Sequence, residues 1–406
     1  MKFVQDLGFR TIKSMGSDSM SYGRDLAFEY NNPTKIIFGE YSVKEIGLEV
    51  DTLGGSKALV VTDRGLIEAG LAEKVEKALG RRYVGTFDQC IPDSGFHLVD
   101  EGAAFALEKG ADILVSVGGG SVIDTAKGMA VIMKEGGKLK DYRGMQVLRR
   151  PQTPHIVVPT TAGSGSEATW FAVIKDWDSN VKEAFVDVHL IPDRAILDPH
   201  MVAGLPPHLT AGPGMDALSH AVEAIHSLQR QPIIDGMALQ AIRLISENLP
   251  RCVEKGDDLV ARGQQQLAAT MAGIAFGNSQ PGLVHAMAHP VGALFKVPHG
   301  VANAILLPYV MLFNMQECAD RYALVARAMD LDVRSLSDKE AGRAAVEAIW
   351  ELTQKIGLPQ KLREVGVPED GLAEAADYSL ADGSIVYNPR LVTDQQEVLE
   401  VYRAAW

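Results

Sequence analysis

Through the first half of this chain, short apolar runs alternate with longer stretches whose apolar residues recur at helical spacing. That alternation narrows the fold more than any other feature. Lys57 to Thr62 (KALVVT), Asp112 to Val117 (DILVSV) and Pro154 to Val158 (PHIVV) read as buried strands. Leu71 to Leu79 and Leu98 to Glu108, between them, read as helices. Strand–helix–strand alternation predicts a parallel sheet with helices on both faces. Gly54-Gly55 and Pro92-Asp93-Ser94-Gly95 punctuate the joints.

The pattern changes at Asp198. The stretch DPHMVAGLPPHLTAG is rich in proline and glycine and reads as a connection. Beyond it the helical pattern dominates, over Met215 to Ser227, Ile233 to Ser246, Val260 to Ala275, Asp320 to Met329 and Glu340 to Ile356. A chain of 406 residues exceeds the usual single-domain size. The expected division is an N-terminal extension at 1–25, an α/β domain with a parallel sheet at 26–204, and an all-α domain at 205–406.

Composition excludes some classes of function. No apolar run reaches the roughly 18 residues of a membrane span. The formal charge of −13 argues against nonspecific nucleic-acid binding. Cys90, Cys252 and Cys318 lie far apart without a C-x-x-C pair, so free buried thiols and a cytoplasmic location are expected, with an enzyme compartment as the alternative. In the extension, Phe3, Val4, Leu7, Ile12 and Met15 form a rough apolar stripe beside Lys2, Arg10 and Lys13. A loosely docked extension, a helix over 1–19 that docks on a partner or compartment shell, and a mitochondrial presequence are its competing readings.

Gly118-Gly119-Gly120-Ser121 follows the strand DILVSV and opens a helical pattern from Val122 to Met133. Glycines let backbone N–H groups approach a phosphate, and a helix N-terminus adds a favourable dipole. A tight turn without ligand is the alternative. Pro159 to Glu167 (PTTAGSGSE) follows the next strand; its small and hydroxyl residues either line a ribose and pyrophosphate or form a plain polar loop. Asp63 closes the strand KALVVT. It is placed to accept from a ribose 2′-OH and repel a 2′-phosphate, which favours NAD over NADP, or to cap the helix that starts at Arg64.

The most specific pattern lies in the second half. Asp216 and His220 stand four apart in GMDALSHAVEA, and His285 and His289 repeat that spacing in GLVHAMAHPVG. Residues four apart share one helical face. His299 follows in VPHGVANA. One carboxylate with two or three imidazoles suits a divalent first-row metal such as Fe, Zn, Mn or Ni. His97, His155, His189, His200, His208 and His226 lack this arrangement and are expected to be structural or exposed.

Taken together, GGGSVIDTAK, PTTAGSGSEAT, GMDALSHAVEA and GLVHAMAHPVGALFKVPHGVANA resemble the iron-containing, or group III, alcohol dehydrogenases of the lactaldehyde reductase and 1,3-propanediol dehydrogenase type. The resemblance runs from Asn32 to Trp406. It implies an α/β dinucleotide-binding domain and an all-helical metal domain, the architecture shared with dehydroquinate synthase. It implies Asp216, His220, His285 and His299 as metal ligands, with Fe2+ the expected ion. The resemblance implies that His289 lies beside substrate and nicotinamide and is no direct ligand, and a proton relay is the role expected of it there. Cofactor contacts carry over onto Asp63, Gly119, Gly120, Ser121, Asp124, Thr160, Thr161, Ser164 and Lys182.

The implied activity is NAD(H)-linked oxidation of a small alcohol or diol, or reduction of its aldehyde, by a homodimer or larger homo-oligomer without nucleic-acid or membrane partners. A hydroxyacid–oxoacid transhydrogenase is one alternative. A reductase of a sulfonated or phosphonated aldehyde is another, motivated by Arg143 where the family often has an acid. Pro213 and Trp170 also depart from the common pattern.

Overall fold

The strands form where apolar runs meet β-branched residues. In a computed structural model, which describes residues 26–177 and 181–406, they are β1 (Lys35–Phe38), β2 (Ala58–Val61), β3 (Tyr83–Phe87), β4 (Ile113–Gly118), β5 (His155–Pro159), β6 (Phe171–Asp176), β7 (Val181–Val186) and β8 (Arg194–Leu197). The expectations placed on residues 1–25 lie outside the described residues.

Six strands pair in the order β1-β8-β5-β4-β2-β3, every pairing parallel. This is the expected sheet. Its central strands β2, β4 and β5 are buried at every residue. Successive side chains point to opposite faces, so one strand feeds two cores. Leu59, Val61 and Leu114 join Val99, Ala103, Ala126 and Met129 on one face. Ala58, Val60, Ile113 and Val115 join Ile46, Val50, Val75 and Leu79 on the other. Each fully buried valine, leucine, isoleucine or methionine among them contributes about 1.5–3 kcal/mol. β6 and β7 form a separate antiparallel pair. In β6 the apolar residues Phe171 to Ile174 run together, and in β7 Lys182 and Glu183 stand side by side, so neither strand shows a clean apolar–polar alternation in sequence.

The later helices are Pro207–His226, Pro232–Glu254, Leu259–Ser279, Leu283–Phe295, His299–Ala328, Asp338–Lys355, Leu372–Ala381 and Gln395–Ala405. The expected connection is shorter than its composition suggested. A helix starts at Pro207 and takes in Thr210, Gly212 and Pro213. Proline is favourable at the first helical position because its missing N–H has no partner there. Ser337 and Glu340 close a reciprocal capping box at Asp338–Lys355. No described helix is long and apolar enough to cross a membrane.

By internal contacts the chain divides into two units. One comprises Asn31–Leu218 and Leu244–Gly277 and contains the sheet. The other, comprising 26–30, Ser219–Arg243 and Asn278–Trp406, is mostly helical. In the second, the Tyr402 hydroxyl is buried and donates to the Met287 carbonyl at 2.6 Å, anchoring the helix that carries His285 and His289.

Candidate metal centre and nucleotide turn

β4 ends at Gly118, and the helix Gly120–Glu135 begins two residues later with Gly119 as its N-cap. No side chain caps this end, so the Gly120 and Ser121 N–H groups, which precede the first intrahelical bonds, keep their donor capacity for a ligand, while the Val122 N–H turns back to the Gly119 carbonyl at 3.1 Å. The turn lies against the loop after β5. A Cβ on Gly119 would meet Thr161 Oγ1 at 3.1 Å, and one on Gly120 would meet Ser164 Oγ at 3.0 Å. Thr160 is buried and donates its N–H to the Gly118 carbonyl at 3.1 Å. The expected glycines and hydroxyls therefore share one small region. Its close backbone approach and open N–H groups fit a dinucleotide pyrophosphate.

The loop is held firmly from behind. Gly165, at φ +64°, touches Gly273 so closely that a Cβ would fall 2.5 Å from the Gly273 Cα. Gln266 Nε2 donates to the Pro159 carbonyl at 3.2 Å, and Thr270 Oγ1 donates to Glu167 at 2.5 Å. Pro213 contributes here too: a Cβ on Gly163 would meet its Cβ at 2.6 Å.

Asp124 accepts from Ser166 Oγ at 2.6 Å and from the Val173 N–H at 2.9 Å, tying the helix to both the loop and β6. Burial raises its pKa despite those bonds and the nearby Lys127 charge. Lys127 is itself buried and donates to the Thr169 and Phe171 carbonyls at 2.9 and 2.6 Å; burial pushes its pKa down to about 8. Asp63 caps the helix Arg64–Glu68, its Oδ1 accepting from the Leu66 N–H at 3.0 Å. Lys182 pairs with Asp93 at 2.6 Å, and the Asp93 N–H donates to Ser121 Oγ at 3.4 Å, so Lys182 adjoins the glycine turn through an acid.

On the helix Pro207–His226, Asp216 and His220 are one turn apart. Together with His285 they present one ligand atom each, all within 4.8 Å of one another, and all three residues are buried. The His220 and His285 rings stack at 4.6 Å, and the His299 ring lies 5.3 Å from that of His285. The Asn303 amide nitrogen is 3.3 Å from His285 Nε2 and 3.2 Å from His299 Nε2, so these two nitrogens face one region. His299 lies outside the tight three-residue group. One carboxylate and convergent imidazoles form a donor set that fits a divalent first-row metal.

Sequence reasoning passed over three residues beside this group. Glu223 is wholly buried; it accepts from the Val284 N–H at 2.7 Å and hydrogen-bonds to His285 Nδ1. Burial alone would raise its pKa, but His285 pulls it below the usual carboxylate range. An ionised carboxylate only accepts, so Nδ1 carries a proton, and in the neutral ring Nε2 is then the nitrogen open to a metal. Glu223 sits three residues past His220, and a carboxylate on the same helical face in an apolar stretch was its available signal. The second, Asp382, meets His289 Nδ1 at 2.7 Å from 93 residues away, which no local pattern reveals. The third is Asn303, one turn past His299. His289 is exposed, and its ring stacks on that of His299 at 5.3 Å.

Two of the remaining histidines are structural. His155 Nε2 meets Ser116 Oγ at 2.7 Å inside the sheet, and burial lowers its pKa to about 3. His226 Nδ1 meets the Tyr322 hydroxyl at 2.8 Å, and burial lowers its pKa to about 4. All three cysteines are free and buried, as expected. Arg143 is matched by two acids, pairing with Asp176 and reaching Glu183 at 3.7 Å.

Comparison with known proteins gives the family. Residues 33–199 match the family model for iron-containing alcohol dehydrogenase, and residues 210–406 match the C-terminal model of the same family. A 1,3-propanediol dehydrogenase of Klebsiella pneumoniae is 39% identical over 93% of this chain and 99% of its own length. An NAD-dependent methanol dehydrogenase of Bacillus methanolicus is 37% identical over 92% of this chain and 98% of its own. The crystal structure of a 1,3-propanediol oxidoreductase superposes with a TM-score of 0.91 at 39% identity, covering 94% of this chain and all of that one.

Proposed function

This chain belongs to the iron-containing alcohol dehydrogenase family, and from that premise we propose that it is a metal-dependent, NAD(H)-linked dehydrogenase of small neutral alcohols or diols. The observation that carries the reading is the buried group of Asp216, His220 and His285, with ligand atoms within 4.8 Å of one another. Asp216, His220, His285 and His299 would hold the ion, Fe2+ being the first choice. When bound, the ion supplies Lewis acidity to the substrate oxygen and the nicotinamide exchanges hydride with the substrate carbon.

The chain's own groups do the rest. The open N–H groups at Gly119 to Ser121 bind pyrophosphate, with Thr160, Thr161 and Ser164 closing round it. Asp124 and Lys182 hold the neighbouring loop and strand in register. Asp63 divides its carboxylate between the helix cap and a ribose hydroxyl. Glu223 orients His285. His289 exchanges the hydroxyl proton at Nε2. A neutral substrate is preferred over an anionic aldehyde because the Arg143 charge is already matched by Asp176 and Glu183.

The test is metal analysis of protein purified without air, followed by NADH formation from 1,3-propanediol. Stoichiometric metal and NADH formation are expected, both lost in His285→Ala. If His285→Ala kept metal and turnover, the reading would fail. Turnover that required an added oxoacid would replace it with the transhydrogenase.

A further inference from the structure

His289 and His285 sit on one helix, and each presents Nδ1 to a carboxylate. Glu223 behind His285 is wholly buried. Asp382 behind His289 is better shielded than the imidazole it meets, at 19% against 44% side-chain exposure. Asp382 is itself fixed. Its Oδ1 accepts from the Ser384 N–H at 2.8 Å as the cap of the turn Gly383–Tyr387, leaving Oδ2 to meet His289 Nδ1 at 2.7 Å. On its other side the His289 ring stacks on His299, 12° from parallel. Two restraints of different kinds thus set one ring.

We propose that Asp382 is the positioning residue of the reaction, holding His289 in the tautomer that carries its proton on Nδ1. The inference rests on the reading of His289 as the proton-exchanging group. A carboxylate has no proton to donate, so the ring nitrogen facing it must be the donor. Neutral imidazole has one N–H, so Nε2 is left with a lone pair and acts as base during alcohol oxidation. The hydroxyl proton passes to Nε2, and the resulting imidazolium faces the Asp382 charge. In the reverse direction the proton returns from Nε2 to the substrate oxygen. A side-chain amide at 382 would present either an acceptor or a donor to Nδ1, and the wrong tautomer would then block Nε2 with a proton.

The experiment uses the full chain loaded with Zn2+ and labelled with [15N]histidine, alongside turnover of 1,3-propanediol with NAD+. In the wild type the nitrogen spectrum is expected to show His289 protonated at Nδ1, and Asp382→Asn is expected to mix the tautomers. Turnover in Asp382→Asn should fall about 100-fold in kcat, the lower end of what a positioned proton-transfer group contributes. KM and metal content should stay close to wild type, and Asp382→Glu should recover most of the rate. In a His289→Ala background, Asp382→Asn should have no further effect.

Wild-type His289 protonated at Nε2 would overturn the proposal. So would an Asp382→Asn loss that persists undiminished in the His289→Ala background, since that is the mark of a structural role. A slow His289→Ala with a wild-type Asp382→Asn would sink this inference alone. A wild-type rate in His289→Ala would sink the reading of His289 and the inference with it.

Discussion

At Gly119 and Gly120 the chain leaves side chains out, and in the proposed function the backbone of one strand-to-helix turn would meet the pyrophosphate. At His220, His285 and His299 it does the reverse, bringing polar side chains from three helices into a largely buried group. The turn needs almost nothing behind it except room. Its donors are peptide N–H groups whose direction follows from the fold of the strand and helix. An imidazole has two nitrogens and a free ring rotation, so the cluster needs a further partner to choose which nitrogen points where. Glu223 is that partner for His285, and the Val284 N–H it also receives makes its burial tolerable. A backbone site is thus vulnerable to additions, and a side-chain site to deletions one layer away.

Removing the Glu223 carboxylate should have the largest effect. Glu223→Ala leaves the Val284 N–H and His285 Nδ1 without their buried acceptor, which should cost about 1–3 kcal/mol of stability for each donor left unsatisfied. Denaturant midpoints measure this, and competition with a chelator should show metal affinity reduced roughly 10- to 100-fold. Unchanged metal affinity would mean that the cluster, like the turn, orients itself.

Adding bulk at the turn should do less. In Gly120→Val the new Cβ lies 3.0 Å from Ser164 Oγ and 3.2 Å from Ser164 Cβ, and rotating the hydroxyl clears only the first. An overpacking penalty of about 1–3 kcal/mol is expected, read as a rise in KM for NAD+ with metal content intact. A variant that lost metal but kept its KM would reverse the comparison.

Asp63→Ala should have the smallest effect. Loss of the cap on the Leu66 N–H should cost about 1 kcal/mol of stability. A higher KM for NAD+ should accompany it if the same carboxylate also serves the ribose. Stability lost at an unchanged KM would assign Asp63 to the helix alone.

Much of this molecule could be read from its residues in order. Wholly apolar runs such as ALVV and ILVSV specify strands buried on both faces, because no other placement removes so much apolar surface from water in so few residues. The paired spacings at Asp216/His220 and His285/His289 are legible for a similar reason: a helix places every fourth residue on one face whatever surrounds it. Such local periodicities carry their own geometry. The β6–β7 hairpin was not legible, nor was the early start of the helix at Pro207. There the decisive terms are antiparallel pairing of two neighbouring strands that lack a clean apolar–polar alternation, and the tolerance of proline in a first turn.

The tertiary structure alone decided which side chain stands behind which. Asp382 is 93 residues from His289, and Glu223 is 62 from His285. Nothing in the spacing announces either pair. A hydrogen bond needs its atoms about 3 Å apart, and only chain folding sets that distance between residues far apart in sequence. Metal-ligand residue types and their helical register are properties of a segment. The tautomer each histidine adopts belongs to the partner that folding delivers to it.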